Sequence, residues 1–304
     1  MTTETETLLR PGSADARPRR RVAGARTPAA QTLRSIGKHV MLAAVSILMI
    51  YPLIWLVVSS LKPNDQIFRD LSVFTTNLTF DNYVNGWNDL QAPFGVFLVN
   101  SSIIALGAIV GNLLSCSMAA YAFARLKFRG RTLAFVLMLG SIMLPFQVLL
   151  VPQFLIYKEL GWLNTFLPLI APKFLATEAF FIFLMVQFIR GLPKELFEAA
   201  RMDGAGHFRS YFQITLPMIV PSLATTAIFT FIWTWGDFFG PLIYVRLPEL
   251  FPASLALKGF LDAQSSSDYG SMFAMSVVSL IPLFLVFLFG QRFLLKGAAT
   301  SGIK

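Results

Sequence analysis

Little in this chain can do covalent chemistry. Of its 304 residues one is cysteine and two are histidine. No disulfide, no paired thiolate metal site and no triad built on histidine can be assembled from so few. Cys116 lies alone in an apolar run, His39 at the edge of another and His207 in a polar loop, so neither a metal nor a catalytic residue is expected. No Gly-x-x-x-x-Gly-Lys-[Ser/Thr] phosphate loop occurs either, which excludes ATP hydrolysis by this chain through that motif and leaves no cofactor to bind. Charge is scarce as well. Only 13% of residues are Asp, Glu, Lys or Arg, against 55% hydrophobic residues with 30 phenylalanines among them. Such a composition belongs to a membrane protein.

A helix that crosses about 30 Å of hydrocarbon needs roughly 20 apolar residues. The chain offers Val40 to Leu61, Phe94 to Ala124, Thr132 to Tyr157, Phe174 to Ile189, Pro217 to Trp235 and Tyr269 to Gln291. The expectation is an all-α membrane protein with six transmembrane helices. The fourth run is the shortest and contains Glu178, with the proline-broken stretch Leu160 to Pro172 available to extend it. Lysine and arginine concentrate on the cytoplasmic side of membranes. Placing both termini inside puts 19 of the 25 there, including Arg125, Lys127, Arg129 and Arg131 after the second span. The net charge of +9 therefore marks topology, and no nucleic-acid surface is expected.

Residues 1–37 are rich in Arg, Ala, Thr and Pro without apolar periodicity, and read as a disordered basic cytoplasmic tail touching water or anionic lipid. Residues 38–304 form the spanning domain. The Pro18-Arg19-Arg20-Arg21 run does not make a cleaved export signal, because the apolar stretch begins about 19 residues later and is too long.

One polar segment stands out between the spans. Glu198-Ala199-Ala200-Arg201-Met202-Asp203-Gly204-Ala205 is followed by Ile214-Thr215-Leu216-Pro217, inside a loop of residues 191–217. It predicts a short helix over Lys194 to Met202, a break at Gly204-Ala205-Gly206, and a second amphipathic turn with Phe208, Tyr211, Phe212 and Ile214 as anchors. Glu-Ala-Ala, three residues, Gly, nine residues, Ile-x-Leu-Pro resembles the cytoplasmic coupling loop of permeases in binding-protein-dependent ABC importers. Further segments narrow the resemblance to maltose-type carbohydrate importers. They include Ser59-Ser60-Leu61-Lys62, Asp81-Asn82-Tyr83, Ala119 to Phe128, Leu144-Pro145-Phe146-Gln147, Gly161-Trp162-Leu163-Asn164-Thr165 and Gln291-Arg292-Phe293. Two departures are Trp235-Gly236-Asp237, where Trp-Asn is frequent, and Gly206, where Ser or Asn is common.

The resemblance implies a type I ABC importer permease fold in a bacterial cytoplasmic membrane and a non-catalytic translocation subunit. Its implied partners are a second homologous permease, a dimer of ABC ATPase subunits that hold ATP and Mg, an extracytoplasmic solute-binding protein, and a sugar that is a disaccharide, an oligosaccharide or glycerol phosphate. Glu198, Ala199, Ala200, Asp203, Gly204, Ala205, Phe208, Ile214, Leu216 and Pro217 would couple to the ATPase. The outer segments, Lys62 to Pro93 and Arg246 to Asp268, would meet the binding protein.

The residues themselves suggest a transport path. Pro145 and Pro152 remove backbone donors from the third span, tolerable only beside a cavity or satisfying neighbours. Gln147 and Gln153 lie next to them and Asn100 near the outer part of the second span; such amides either line a path or join helices. Trp233 and Trp235 either stack on a pyranose face or form an interfacial belt. Glu178 and Asp237 should avoid lipid, with Asp237 near the outer surface. Gly107 to Gly111 reads as a small-residue stripe for close helix packing. A secondary transporter driven by an ion gradient would need more buried acids and bases than Glu178 supplies.

Overall fold

A computed structural model describes residues 28–75, 77–261 and 267–301, with side-chain surroundings given between residues 35 and 293. Contacts divide the chain into residues 1–52 and residues 53–304. Among the described residues the first unit consists of the start of α1 (Pro28–Ser59). That helix begins nine residues before the expected end of the tail, since Ala-Ala-Gln-Thr-Leu-Arg after Pro28 are helix formers and Pro suits a first turn. Residues 1–27, with the rest of the tail and its arginine run, lie outside the described residues.

Among the described residues every regular element of the second unit is a helix, joined by turns and loops. After α2 (Asp81–Asn88) come α3 (Phe94–Arg125), α4 (Arg131–Ser141) and α5 (Phe146–Glu159). The short α6 (Leu167–Ile170) continues through a tight 3₁₀ turn, Ala171–Leu175, to α7 (Ala179–Gly191). Then follow α8 (Lys194–Met202), α9 (His207–Ser210), a π-helical turn over Tyr211–Thr215, α10 (Leu216–Met218) and α11 (Val220–Trp235). The chain ends through α12 (Phe239–Tyr244), α13 (Ala253–Ala256) and α14 (Tyr269–Ser301).

Among the described residues four stretches are long and apolar enough to cross a membrane: Ser35–Ser59, Phe94–Arg125, Leu167–Gly191 and Tyr269–Phe293. Two further crossings are bent pairs, α4 with α5 at 103° and His207–Met218 with α11 at 75°. With each pair counted once there are six spans, and the fourth does extend back through its proline-broken segment. The bends have local causes. Pro145 has no N–H and disfavours helix at Leu144, so α4 ends before it and α5 starts after it. Pro217 and Pro221 remove donors in the same way on either side of the second bend.

Helix α3 is the axis of the core. Ala105, Ala108, Asn112, Cys116 and Ala120 recur along it at helical spacing with no exposed surface, and α7 and α11 pack against it. Small side chains let backbones approach closely. A Cβ on Gly107 would come within 2.9 Å of Ile170, and one on Gly111 within 2.8 Å of Phe174 and 2.9 Å of the Lys173 backbone, so the small-residue stripe packs as expected. From α7 come Phe181, Ile182, Met185, Val186 and Ile189, one buried stripe of 3.6-residue period. On the second half of α14 several large apolar side chains face outward, Phe284 and Phe289 being 63% and 67% exposed, as a lipid-facing surface requires.

The loop before α2 is fastened from within. Lys62 is completely buried and its Nζ donates to the carbonyls of Asp70 at 2.6 Å and Ser72 at 2.7 Å. Asn82 donates Nδ2 to the carbonyls of Ser60 and Lys62 at 2.9 and 2.8 Å. The Ser-Ser-Leu-Lys and Asp-Asn-Tyr segments thus form one knot.

Candidate functional site

Two features concentrate the polar groups of this bundle, a cleft between the helices and the protruding loop around α8. The cleft encloses about 1100 Å³ and is lined from α3, α5, α11, α12 and the α6–α7 connection. One wall is aromatic. The rings of Tyr157 and Trp162 lie nearly parallel at 5.7 Å, Tyr244 meets Tyr157 edge-on at 5.1 Å, and the Tyr244 hydroxyl donates to Gln153 Oε1 at 3.2 Å. A turn holds Trp162 in place. Asn164 takes the left-handed conformation that asparagine tolerates, its N–H donates to Tyr244 O at 2.9 Å, and its Oδ1 accepts the Arg246 N–H at 2.8 Å. The Gly-Trp-Leu-Asn-Thr segment therefore locks two loops and turns an indole toward the cleft.

Besides tyrosines, three ionisable groups among the described residues line the cleft: Lys173, Glu178 and Asp237. Lys173 and Glu178 form a close ion pair just before α7. Asp237 follows α11, and its Oδ1 accepts the Gly240 N–H at 3.1 Å. Burial pushes this carboxyl up, against the opposing influence of that N–H and of Lys173.

Of the expected path residues the structure brings together Gln153, Glu178, Trp233 and Asp237 around this cleft. Trp233 is half exposed and stacks on Phe181 at 5.1 Å. The other three lie elsewhere. Asn100 donates Nδ2 to the carbonyls of Glu249 and Phe251 at 2.8 and 3.0 Å, so it fastens the loop before α13 to α3. Gln147 is exposed in the first turn of α5 and does not line the cleft. Trp235 is buried against Phe231, and its indole N–H donates to Ser279 O at 2.9 Å, which joins α11 to α14 and removes it from any interfacial belt. Tyr157, Trp162, Lys173 and Tyr244 are among the lining residues that sequence reasoning missed. The proline-flanked turn after α5 was the available signal, but nothing local says that Tyr244 closes on it.

The loop is built in two limbs. Helix α8 spans the predicted residues and has no buried side chain. Arg125, at the end of α3, anchors its root: the guanidinium donates to Ile189 O at 2.6 Å and Leu192 O at 2.8 Å and lies 4.0 Å over the Phe197 ring. Its far end closes with Gly204 at φ +75°, the Gly204 N–H donating to Arg201 O at 3.0 Å and the Ala205 N–H to Ala200 O at 2.8 Å. This pair of bonds is a Schellman cap, which requires a left-handed residue one position past the helix end. The Glu-Ala-Ala-x-x-x-Gly spacing has a mechanical meaning here, since the second alanine supplies the accepting carbonyl and the glycine the turn.

The second limb points both ways. Tyr211 is buried, its hydroxyl 2.7 Å from Ser117 Oγ and its ring 5.4 Å from Tyr121, whereas Phe208 and Phe212 are 74% and 57% exposed. Ile214 and Leu216 are half-buried, and Pro217 is exposed. Glu198 and Asp203 are exposed, and among the described residues neither carboxylate forms an ion pair. Among the described residues Glu198 makes no cap or bridge within the loop.

Residues 104–299 match the family model described as binding-protein-dependent transport system inner membrane component. The chain is 33% identical over 265 residues to the diacetylchitobiose uptake system permease protein of Streptomyces coelicolor, covering 87% of each. To the arabinooligosaccharides transport system permease protein of Halalkalibacterium halodurans it is 32% identical over 265 residues, covering 86% of this chain and 94% of that one. The trehalose/maltose transport system permease protein of Thermococcus litoralis is 32% identical over 261 residues, with coverage of 85% and 93%. Among solved structures, a chain of a bacterial ABC transporter involved in import of the acidic polysaccharide alginate superposes with a TM-score of 0.77 at 22% identity, over 88% of this chain and 99% of that one. The shared architecture is that of an ABC importer permease.

Proposed function

The chain belongs to the family of binding-protein-dependent transport system inner membrane components, and from that membership we propose that it is the translocation subunit of an ABC importer that carries an oligosaccharide inward. In this reading it pairs with a second, homologous permease and sits on two ATPase subunits that hold ATP and Mg. It receives sugar from an extracytoplasmic binding protein on its outer segments, and catalyses no reaction itself. Both termini and α8 face the cytoplasm of a bacterial cell, the side to which lysine and arginine sort.

The observation that carries the proposal is α8. Its root is clamped by Arg125 and its end by the Gly204 cap, while its side chains stay unburied and Glu198 unpaired. A helix fixed at both ends with its surface free suits the groove of another protein. The cleft fits the cargo. At about 1100 Å³ it is at the upper end of small-molecule sites, its aromatic wall offers flat faces, and Gln153 and Tyr244 offer hydrogen bonds. Relatives named for diacetylchitobiose, arabinooligosaccharides and trehalose/maltose support a neutral sugar.

Transport then follows alternating access. The ATPase pair grips α8 differently with and without ATP, and this difference in contact energy moves the permeases between outward-open and inward-open arrangements. The test is Glu198→Lys in the reconstituted importer. The chain should still insert, while ATPase co-purification and sugar uptake fall together. Wild-type co-purification and ATP hydrolysis in that variant, or uptake abolished by collapsing an ion gradient with ATP intact, would overturn the reading.

A further inference from the structure

Three cations converge on a smaller hollow that the transport reading does not use. Lys127, Arg131 and Arg190 line a space of about 360 Å³ with Phe128, Thr132 and Phe135. It lies where the end of α3, the start of α4 and the end of α7 meet, on the side from which α8 departs. Two of the cations are held. Arg131 donates Nη1 to Leu126 O at 3.0 Å, and the Arg190 guanidinium lies 5.1 Å from the centroid of the Phe135 ring. No carboxylate lines the hollow, and among the described residues none of the three forms an ion pair.

Sorting of positive charge explains why these residues are on this side of the membrane. It does not require them to share one concavity, where like charges repel. An anion would relieve the repulsion, and the surroundings indicate its kind. Helix α4 starts in the hollow and continues as an apolar strip, with Leu133, Val136 and Leu137 exposed at 64%, 57% and 64%. An anionic head beside an apolar strip describes a lipid. We propose that the hollow binds the phosphate of an anionic phospholipid, phosphatidylglycerol or cardiolipin, whose acyl chains lie along α4.

The experiment is native mass spectrometry of the full-length chain released from bilayers of equimolar phosphatidylglycerol and phosphatidylethanolamine. Wild-type protein should retain phosphatidylglycerol in clear excess. Each cation removed should reduce that retention roughly fivefold without changing phosphatidylethanolamine. Lys127→Gln, at an exposed side chain, tests this without risk to the fold, and Lys127→Gln with Arg190→Gln should compound the loss. Excess inorganic phosphate should not displace the lipid, because phosphate has no chains to lay on α4. Equal retention of both lipids, or variants that retain phosphatidylglycerol as wild type does, would overturn the proposal. So would displacement by free phosphate, which would mark a soluble-anion site, or loss of the lipid when the ATPase subunit is added, which would mark a protein contact.

Discussion

Replacing Gly204 with alanine isolates one contribution to the loop that carries α8. The residue sits at φ +75°, and a Cβ built there meets no atom within 4 Å, so the cost is conformational and nothing collides. A left-handed L-residue costs roughly 1–2 kcal/mol. Even the lower figure shifts a local equilibrium about fivefold, and here it acts on the two bonds that cap α8. The cap is exposed, so the melting temperature of the bundle should barely move. Hydrogen exchange at the Gly204 and Ala205 amides should instead quicken about fivefold, and ATPase co-purification should weaken in step. Asparagine, which tolerates this conformation, should fall between glycine and alanine. Gly206→Ala is the control. Its φ of −74° and ψ of 175° suit any residue and its surroundings are equally open, so this change should leave exchange at the Gly204 and Ala205 amides as in wild type. Wild-type exchange in Gly204→Ala, or a Gly206→Ala as impaired as Gly204→Ala, would refute the capping argument.

Asp237→Asn should keep the acceptor for the Gly240 N–H while removing a charge that burial opposes. A folded-state pKa above the unfolded value means that stability is greatest below the ordinary carboxylate range and is lost as pH rises through the folded value. The variant should therefore melt at or above wild type at neutral pH, with the gap closing as pH falls toward that range; a lower melting temperature at neutral pH would contradict this. Gly111→Ala forces a methyl against Phe174 and the Lys173 backbone and should destabilise by about 1–3 kcal/mol. In the same detergent melt, Gly140→Ala, which meets open space, should cost nothing. Equal melting of the two variants would show that close approach of α3 to the Ala171–Leu175 turn is not needed.

What was legible in the sequence was whatever depends on periodicity and chain punctuation. Helix α8 runs over the expected residues because good helix formers lie between Pro193 and Gly204, and the six crossings follow from apolar length. The small-residue stripe on α3 was visible for the same reason. Tertiary partners were not. Asn100 and Gln147 look alike as amides near apolar runs, yet one is spent on two loop carbonyls about 150 positions away in sequence and the other is exposed. Trp233 and Trp235 are two positions apart on a helix, so they point to different faces, one to the cleft and one to α14. Burial of Lys62 was also hidden, since a lysine after an apolar run reads as a membrane-edge cation until the loop folding back over it is known.

Helix α3 has 32 residues and no proline, which makes it a rod of about 48 Å at 1.5 Å per residue. Near one end Asn100 is bonded to the loop before α13, and at the other Arg125 is bonded to the root of α8. The third and fifth crossings bend sharply partway, whereas this one has no joint at which to dissipate a push. A lever pivoted at its small-residue waist swings its two tips in opposite directions. A tilt imposed from the loop before α13 would displace the base of α8, and a pull on α8 would be felt in return at that loop.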